Sequence, residues 1–406
     1  KDYEVPFNIF DRLVDVEVGT DGNSKIVPSL AESWDISDDG LEYTFHLRQG
    51  VKFHNGNDFT AEDVAYTFHR MLTVEGGVNT EFIDQIKGAD ELLAGETDTL
   101  EGVEVVDDYT IKVTLKEPFA GFLASISSPG VSIYDSEATE AAGDQFGMDP
   151  AVTVGTGPFE FSSWSFNNQL VLTRNEDYWK GASGLPGVVI KIIPDTETQS
   201  MMFESGELDI LDLDYAADSA DRFTETYPDQ IVQGPRVGIV YFTMNFNKEP
   251  FQDVRVRKAV QMSIDRQAIL DALYGGRGQV EQGIFPHGLI GFNPDQEEIK
   301  YDPEAAKALL AEAGYADGFD MEIAADSSAS DTMALEIVSD QLAEVGIRAE
   351  IKNYDESTWL ETRKSGELGS FMSTWSADYN DPDNFIYSFF GNEEKTRIRS
   401  INYPDT

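Results

Sequence analysis

Apolar and polar positions alternate along the first half of the chain, then change period. In "LEYTFHLRQGVKF", Tyr43, Phe45 and Leu47 alternate with polar neighbours, which predicts a half-buried strand running to Gly50. "FTAEDVAYTFHRML" switches to helical spacing: Thr60 caps, Asp63 closes a capping box, and Val64, Phe68 and Met71 share one face. "GVEVVDDYTIKVTL" reads as a hairpin turning at Asp107–Asp108, with Ile111, Val113 and Leu115 on one side. A glycine turn in "GTGPFEF", Gly155 to Phe161, enters another strand, and "QLVLTRNEDYW" and "VVIKIIP" supply two more.

After "VYFTMNFNKEPF" helices dominate. The spacing predicts them over Val254 to Tyr274, Pro303 to Ala313 and Asp331 to Val345, each stopped by glycine. The last feeds a strand, "IRAEIKNY", in which Ile347, Ala349 and Ile351 alternate; a short helix, "ESTWLETRKSG", and a strand, "GSFMSTW", follow. Strand, helix and strand within about 30 residues make a βαβ unit with a parallel sheet. The second half therefore predicts an α/β lobe and the first a mixed α+β body, with a candidate hinge at Asn245–Pro250.

Composition narrows the classes. A chain of 406 residues exceeds one ordinary core, so two or three lobes are expected. No apolar run reaches the roughly 18 residues of a membrane span. Asp and Glu number 75 against 29 Lys and Arg, a net charge of −46 spread along the chain as a solvated acidic shell. Phosphates would be repelled over most of such a surface, which excludes nucleic acid as a partner. Self-repulsion on this scale is a device of halophiles, so a hypersaline origin is expected. Zero cysteines exclude disulfides, thiolate metal sites and a cysteine nucleophile. The four histidines, His46, His54, His69 and His287, have no metal-ligand spacing and read as surface or hydrogen-bonded core groups. No nucleophile elbow, metal pair or phosphate loop is present, and "GTGPF" leads into a strand rather than a helix. Only paired carboxylates, as in glycoside hydrolysis, stay open by spacing in so acidic a chain. No turnover, no cofactor and no metal are expected from these signals.

One stretch concentrates candidate chemistry: "WSADYNDPDNF", Trp375 to Phe385, carries Asp378, Asp381 and Asp383. It begins at the carboxyl end of the predicted parallel strand, where open α/β sheets place their ligands. Asp381 precedes a proline and reads as a helix N-cap, with Asp383 in the first turn, where a carboxylate suits the helix dipole. Asp378 stands three residues before the cap, and no local motif uses its carboxylate.

Seven blocks, in order, resemble the family 5 solute-binding proteins of ABC transporters, which include oligopeptide, dipeptide and nickel binders. They are Val27 to Met71, "GTGPFEFSSW", "RNEDYWKG", "SGELDI", "NKEPFQDVRVRKAVQMSIDRQAI", "YDPEAAKALLAEAGY" and "WSADYNDPDNF". The resemblance implies a type II periplasmic-binding-protein-like α/β fold of two lobes around a ligand cleft, with an extra α+β subdomain in the first lobe. Residues 1–14 and 152–245 would form the first-lobe core, 15–151 the inserted subdomain and 246–406 the second lobe. Family members continue past "INYPDT" and begin before Lys1, so a chain trimmed at both ends, without the C-terminal return segment, is expected.

The resemblance also implies a site. Asp378 matches the aspartate that pairs with a peptide's α-ammonium, and Trp375 the tryptophan packed beside the ligand. A sealed cation needs such a carboxylate, because desolvation otherwise expels it. Backbone groups of Thr374 and Ser376 would pair with the peptide main chain by strand addition. Dipeptide binders place an arginine just before a second-lobe helix, where this chain has "AADSSASD", Ala324 to Asp331. Oligopeptide binders carry a basic residue shortly before the tryptophan, where this chain has "SFMSTW". Arg363 matches another basic position in oligopeptide binders; its alternative is a solvated helix face. Trp359, Trp375, Tyr379 and Tyr241 could instead stack on sugar rings, so an oligosaccharide is the alternative ligand. Nickel or haem ranks lower, given the few histidines. Asn245, beside Tyr241 where the lobes would cross, completes the candidate set. The implied protein is a monomeric extracytoplasmic receptor delivering short peptides to a membrane permease, tethered at most through a lipid anchor or that permease. The charge itself makes a prediction: the unfolding midpoint should rise as salt goes from dilute buffer to molar concentrations, measured by thermal unfolding across a salt series, and a fall would contradict the acidic-shell reading.

Overall fold

Two compact units divide the chain, Lys1–Val232 and Gln233–Thr406. The computed structural model describes residues 3–18, 24–77, 79–213, 217–234, 236–326 and 329–404. Lys1, Ser327 and Ser328 of "AADSSASD", and the closing Asp405 and Thr406 lie outside the described residues.

In the first unit, the strands Ala31–Ile36, Glu42–Leu47, Thr110–Thr114 and Val103–Asp107 form an antiparallel sheet in that order. Phe45, Ile111 and Val113 are fully buried, as the alternation predicts. The helix Ala61–Thr73 covers this sheet with Val64 and Phe68, both wholly buried. Its start is the predicted one, with the Thr60 N–H donating to Asp63 Oδ2 at 2.8 Å. A second antiparallel sheet joins Phe159–Ser165, Gln169–Arg174 and Gly187–Lys191.

Before that sheet, the turn Gly155–Thr156–Gly157 lies against the carbonyl of Ile9. A Cβ at Gly155 would sit 2.1 Å from Ile9 O, so only glycine fits. The turn is clipped from several sides. Gly157 N–H donates to Ile9 O at 2.8 Å and Thr156 Oγ1 to Asp11 Oδ2 at 3.0 Å. His54 closes it with both ring nitrogens: Nδ1 accepts from Gly155 N–H at 3.2 Å and Nε2 donates to Gly157 O at 3.0 Å. That pattern requires a neutral ring.

The second unit is built on a mixed sheet in the order Gly238–Met244, Ser370–Ser376, Phe319–Ala325, Ile347–Asn353. The first pair is antiparallel and the other two are parallel. Gly238–Met244, expected in the first lobe up to residue 245, belongs here because its whole length pairs with Ser370–Ser376. The expected βαβ unit also changes. Ile347–Asn353 and Ser370–Ser376 are parallel but not neighbours, since Phe319–Ala325 lies between them. One sheet face packs Phe319, Ile323 and Ile347 against helices that contribute Val256, Val260, Leu310, Leu335 and Leu342. The other packs Phe371 against Trp359 and Leu368, and Trp375 against Phe385 and Phe389.

The predicted helix from Val254 to Tyr274 is two, Val254–Ser263 and Arg266–Tyr274. Ile264 turns extended, and Asp265 caps the second helix by accepting from Ala268 N–H at 3.0 Å. The apolar period runs through the break because both helices face one core.

Burial pushes the His54 imidazole below its ordinary value, while the Gly157 carbonyl, Glu160 and Asp11 pull less strongly the other way. The folded state therefore prefers the neutral ring, so this clip contributes fully above the unfolded histidine pKa of about 6.5 and is lost as pH falls through the lower folded value. Thermal unfolding between pH 8 and 5 should show a steeper loss in the wild type than in His54→Gln; parallel curves would contradict it.

Candidate functional site

The strand Ser370–Ser376 determines what its two edges can do. Antiparallel partners alternate between residues that exchange hydrogen bonds and residues that do not. Ala377 N–H donates to Val237 O at 2.8 Å and Asn245 N–H to Gly369 O at 2.9 Å, one at each end of the ladder. The bonded pairs are therefore those of Phe371, Ser373 and Trp375 with Thr243, Tyr241 and Ile239. The N–H and C=O of Met372, Thr374 and Ser376 point to the opposite edge. Phe319–Ala325 meets that edge at Phe371 and ends at Ala325. Beyond it, among the described residues, no strand lies along Thr374 and Ser376. This is the local geometry that strand addition needs.

Past Ser376 the chain turns through Asp378 into the helix Asp383–Phe390. Asp381 is the predicted cap: its Oδ1 accepts from Asp383 N–H at 3.0 Å, and Pro382 already has helical angles, φ −52° and ψ −30°. Asp383 is half-buried. Burial pushes its carboxyl up and Asp381 adds to this, while the Tyr379 hydroxyl, donating to its Oδ2 at 2.9 Å, pulls it back. Tyr379 is buried, and its phenol is pushed far above the ordinary range, by burial first and then by Asp383. It stays protonated and a donor. Asn384, only 1% exposed, accepts from Asp378 N–H through Oδ1 at 3.0 Å and from Trp375 Nε1 through its carbonyl at 3.0 Å. Sequence reasoning missed Asn384. Its signal was a polar residue at a position of "DPDNF" that the helix buries.

The structure brings Trp375, Asp378 and Tyr379 together and assigns other work to several candidates. Trp375 meets the Phe389 edge at 5.3 Å, with Arg399 stacked on its ring at 4.2 Å. Trp359 is interior, edge-on to Phe371 at 5.3 Å, and Tyr241 packs against Phe389 at 5.4 Å. These rings pack against their neighbours in the aromatic layers of this unit, and Tyr379 is buried. Arg363 is half-buried rather than on a solvated face. Its Cζ lies 5.2 Å from the Trp359 ring centre and its Nε is buried without a hydrogen bond. Burial, then Arg399, pushes its pKa down. Asn245, fully buried, spends its whole amide internally. Nδ2 donates to Gly366 O at 2.9 Å and Leu368 O at 2.7 Å, while Oδ1 accepts from Asn247 N–H and Asn402 Nδ2, each at 2.9 Å. It is a latch rather than a ligand contact.

The profile of the bacterial extracellular solute-binding proteins, family 5, middle region, matches residues 25–397. The chain is a family 5 extracellular solute-binding protein. It is 35% identical over 399 residues to heme-binding protein A of Haemophilus influenzae, covering 94% of this chain and 71% of that protein. The dipeptide-binding protein of Escherichia coli is 30% identical over 404 residues, with 94% and 73% covered. Among solved structures, the ABC transporter-associated periplasmic binding protein DppA of Helicobacter pylori, in complex with the peptide STSA, superposes with a TM-score of 0.77 at 30% identity, covering 94% of this chain and 75% of that one. The fold of this solute-binding protein is that of the type II periplasmic binding proteins, mixed α/β as the sequence predicts.

Removing the latch takes a partner from the Leu368 carbonyl and the Asn247 N–H, and one of two from the Gly366 carbonyl. Asn245→Ala should cost about 2–4 kcal/mol of unfolding free energy. Denaturant titration measures this, and a loss under about 1 kcal/mol would mean that the four bonds are replaceable.

Proposed function

We propose that this solute-binding protein captures short peptides for an ABC importer, with Asp378 holding the α-ammonium. The observation that carries the reading is the outward-facing backbone of Thr374 and Ser376 just before Asp378, at a strand edge left open by the end of Phe319–Ala325. An extended peptide added there hydrogen-bonds its main chain independently of sequence, and a carboxylate at the strand's end selects a free amino terminus. The peptide complex of the Helicobacter pylori relative and the dipeptide-binding relative of Escherichia coli support this reading. Trp375 shapes the site from beneath, and Arg363, half-buried beside Arg399, is the candidate for the ligand's carboxylate. The protein works without turnover, as a monomer outside the cytoplasm, and hands its ligand to a permease. Its acidic shell suits a hypersaline medium, and its membrane contact is a lipid anchor or the permease itself.

The 35% identity to a heme-binding protein favours haem as the second reading. Against it, the four histidines are engaged elsewhere: His46 with Asp35, His54 in its turn, His69 with Asp98 O and His287 with Glu281.

Calorimetric titration in high salt with trialanine, haem and cellotriose separates the readings, and the first should bind. Asp378→Ala should then lose on the order of 2–5 kcal/mol, roughly 30- to several-thousand-fold in affinity. Asp381→Ala should lose about 1 kcal/mol of stability and little affinity. Equal affinity in wild type and Asp378→Ala sinks the peptide reading.

A further inference from the structure

Asp378 carries the proposed charge pairing, yet the turn that holds it has no regular secondary structure. What fixes its conformation is visible in the contacts of Asn384. This side chain, in the first turn of the helix Asp383–Phe390, reaches back across the loop. Its Oδ1 accepts from Asp378 N–H at 3.0 Å, beside the Tyr379 hydroxyl, which donates to Asp383 Oδ2 at 2.9 Å. Its own backbone ties the rest: the carbonyl receives Trp375 Nε1 at 3.0 Å, and its N–H donates to Asp381 O at 3.1 Å. One buried residue thus bonds the tryptophan below the site, the aspartate in it and the cap aspartate after it.

We propose that Asn384 is a positioning residue for ligand recognition, setting the backbone of Asp378 so that its carboxylate meets the α-ammonium at charge-assisted hydrogen-bond distance. The inference rests on the peptide reading above and deepens it. A turn held through the Asp378 N–H keeps its backbone when the ligand is absent, so binding costs less ordering of the turn. Tyr379 acts one step further out. Its hydroxyl stands beside the Asn384 side chain and donates to Asp383, which holds that side of the turn. The helix start therefore serves as the foundation of the site, with Asn384 in its first turn holding Asp378.

The test reads discrimination rather than affinity. For the full chain in high salt, the dissociation constants of trialanine and of N-acetyl-trialanine are measured, and their ratio reports the α-ammonium pairing alone. The wild type should show a large ratio. Asn384→Ala should lower that ratio about tenfold, because the carboxylate is no longer aimed. Tyr379→Phe, a milder change that serves if Asn384→Ala does not fold, should lower it a few-fold by the same route. Phe385→Leu, a core change one residue along, should lower the melting temperature and leave the ratio intact. A folded Asn384→Ala that weakens both peptides equally, or a Tyr379→Phe with an unchanged ratio, overturns the positioning role and leaves the peptide reading standing. A wild-type ratio of one overturns the Asp378 pairing, and this inference with it.

Discussion

The register between Gly238–Met244 and Ser370–Ser376 governs most of what the second unit can do. A slip of one residue would turn Trp375 out of the aromatic layer it shares with Phe389 and Met372 out of the helix-packed core. It would also turn the Thr374 and Ser376 backbone inward and expose that of Ser373 and Trp375. Nothing in a ladder of backbone bonds distinguishes those registers, so the distinction comes from its ends and faces. Asn245 pins one end to the loop around Gly366 and Leu368, and Ala377 bonds Val237 at the other. The open edge and the turn that follows are thus consequences of side chains that never face a ligand.

The charge imbalance shapes how each sign is used. Two arginines of this region lie on aromatic rings, Arg399 over Trp375 and Phe389 and Arg363 over Trp359. Their planar groups add packing area where an ammonium would demand water. Acids with structural work sit at helix starts: Asp135, Asp195, Asp253, Asp265, Asp302 and Asp355 each accept a backbone N–H there. Such short-range bonds survive salt that screens long-range repulsion between exposed acids.

Local signals were legible where one physical requirement acted alone. The capping box at Thr60 and Asp63, the glycine turn at Gly155 and the Asp381–Pro382 helix start each follow from a single steric or hydrogen-bonding need. The strand Phe319–Ala325 went unread, although Phe319, Met321 and Ile323 alternate with Asp320 and Glu322. Its stretch is short and lies between stronger helical patterns, and its place between Ile347–Asn353 and Ser370–Ser376 is a matter of topology. The break at Ile264 was hidden because the core continues across it. In the site, the position of Asp378 after a sheet strand was legible, whereas the role of Asn384 depends on bonds back to Trp375 and Asp378 that no spacing rule encodes. Asn245 misled for the same reason: a polar residue at a strand's end looks available until its partners are known.

The long reach of the central pairing has a kinetic meaning. Gly238–Met244 finds its partner only when Ser370–Ser376 has been made, and all the helices of the first core layer lie between them in sequence. Loop closure on that scale is slow compared with helix formation. Until it happens, Gly238–Met244 has no partner strand and the aromatic layer around Trp375 has no floor. A nascent chain of this protein therefore keeps this sheet incomplete until residues 370–376 have been made. For a member of an extracellular family, a fold that cannot close early is one that can still be threaded through a membrane pore.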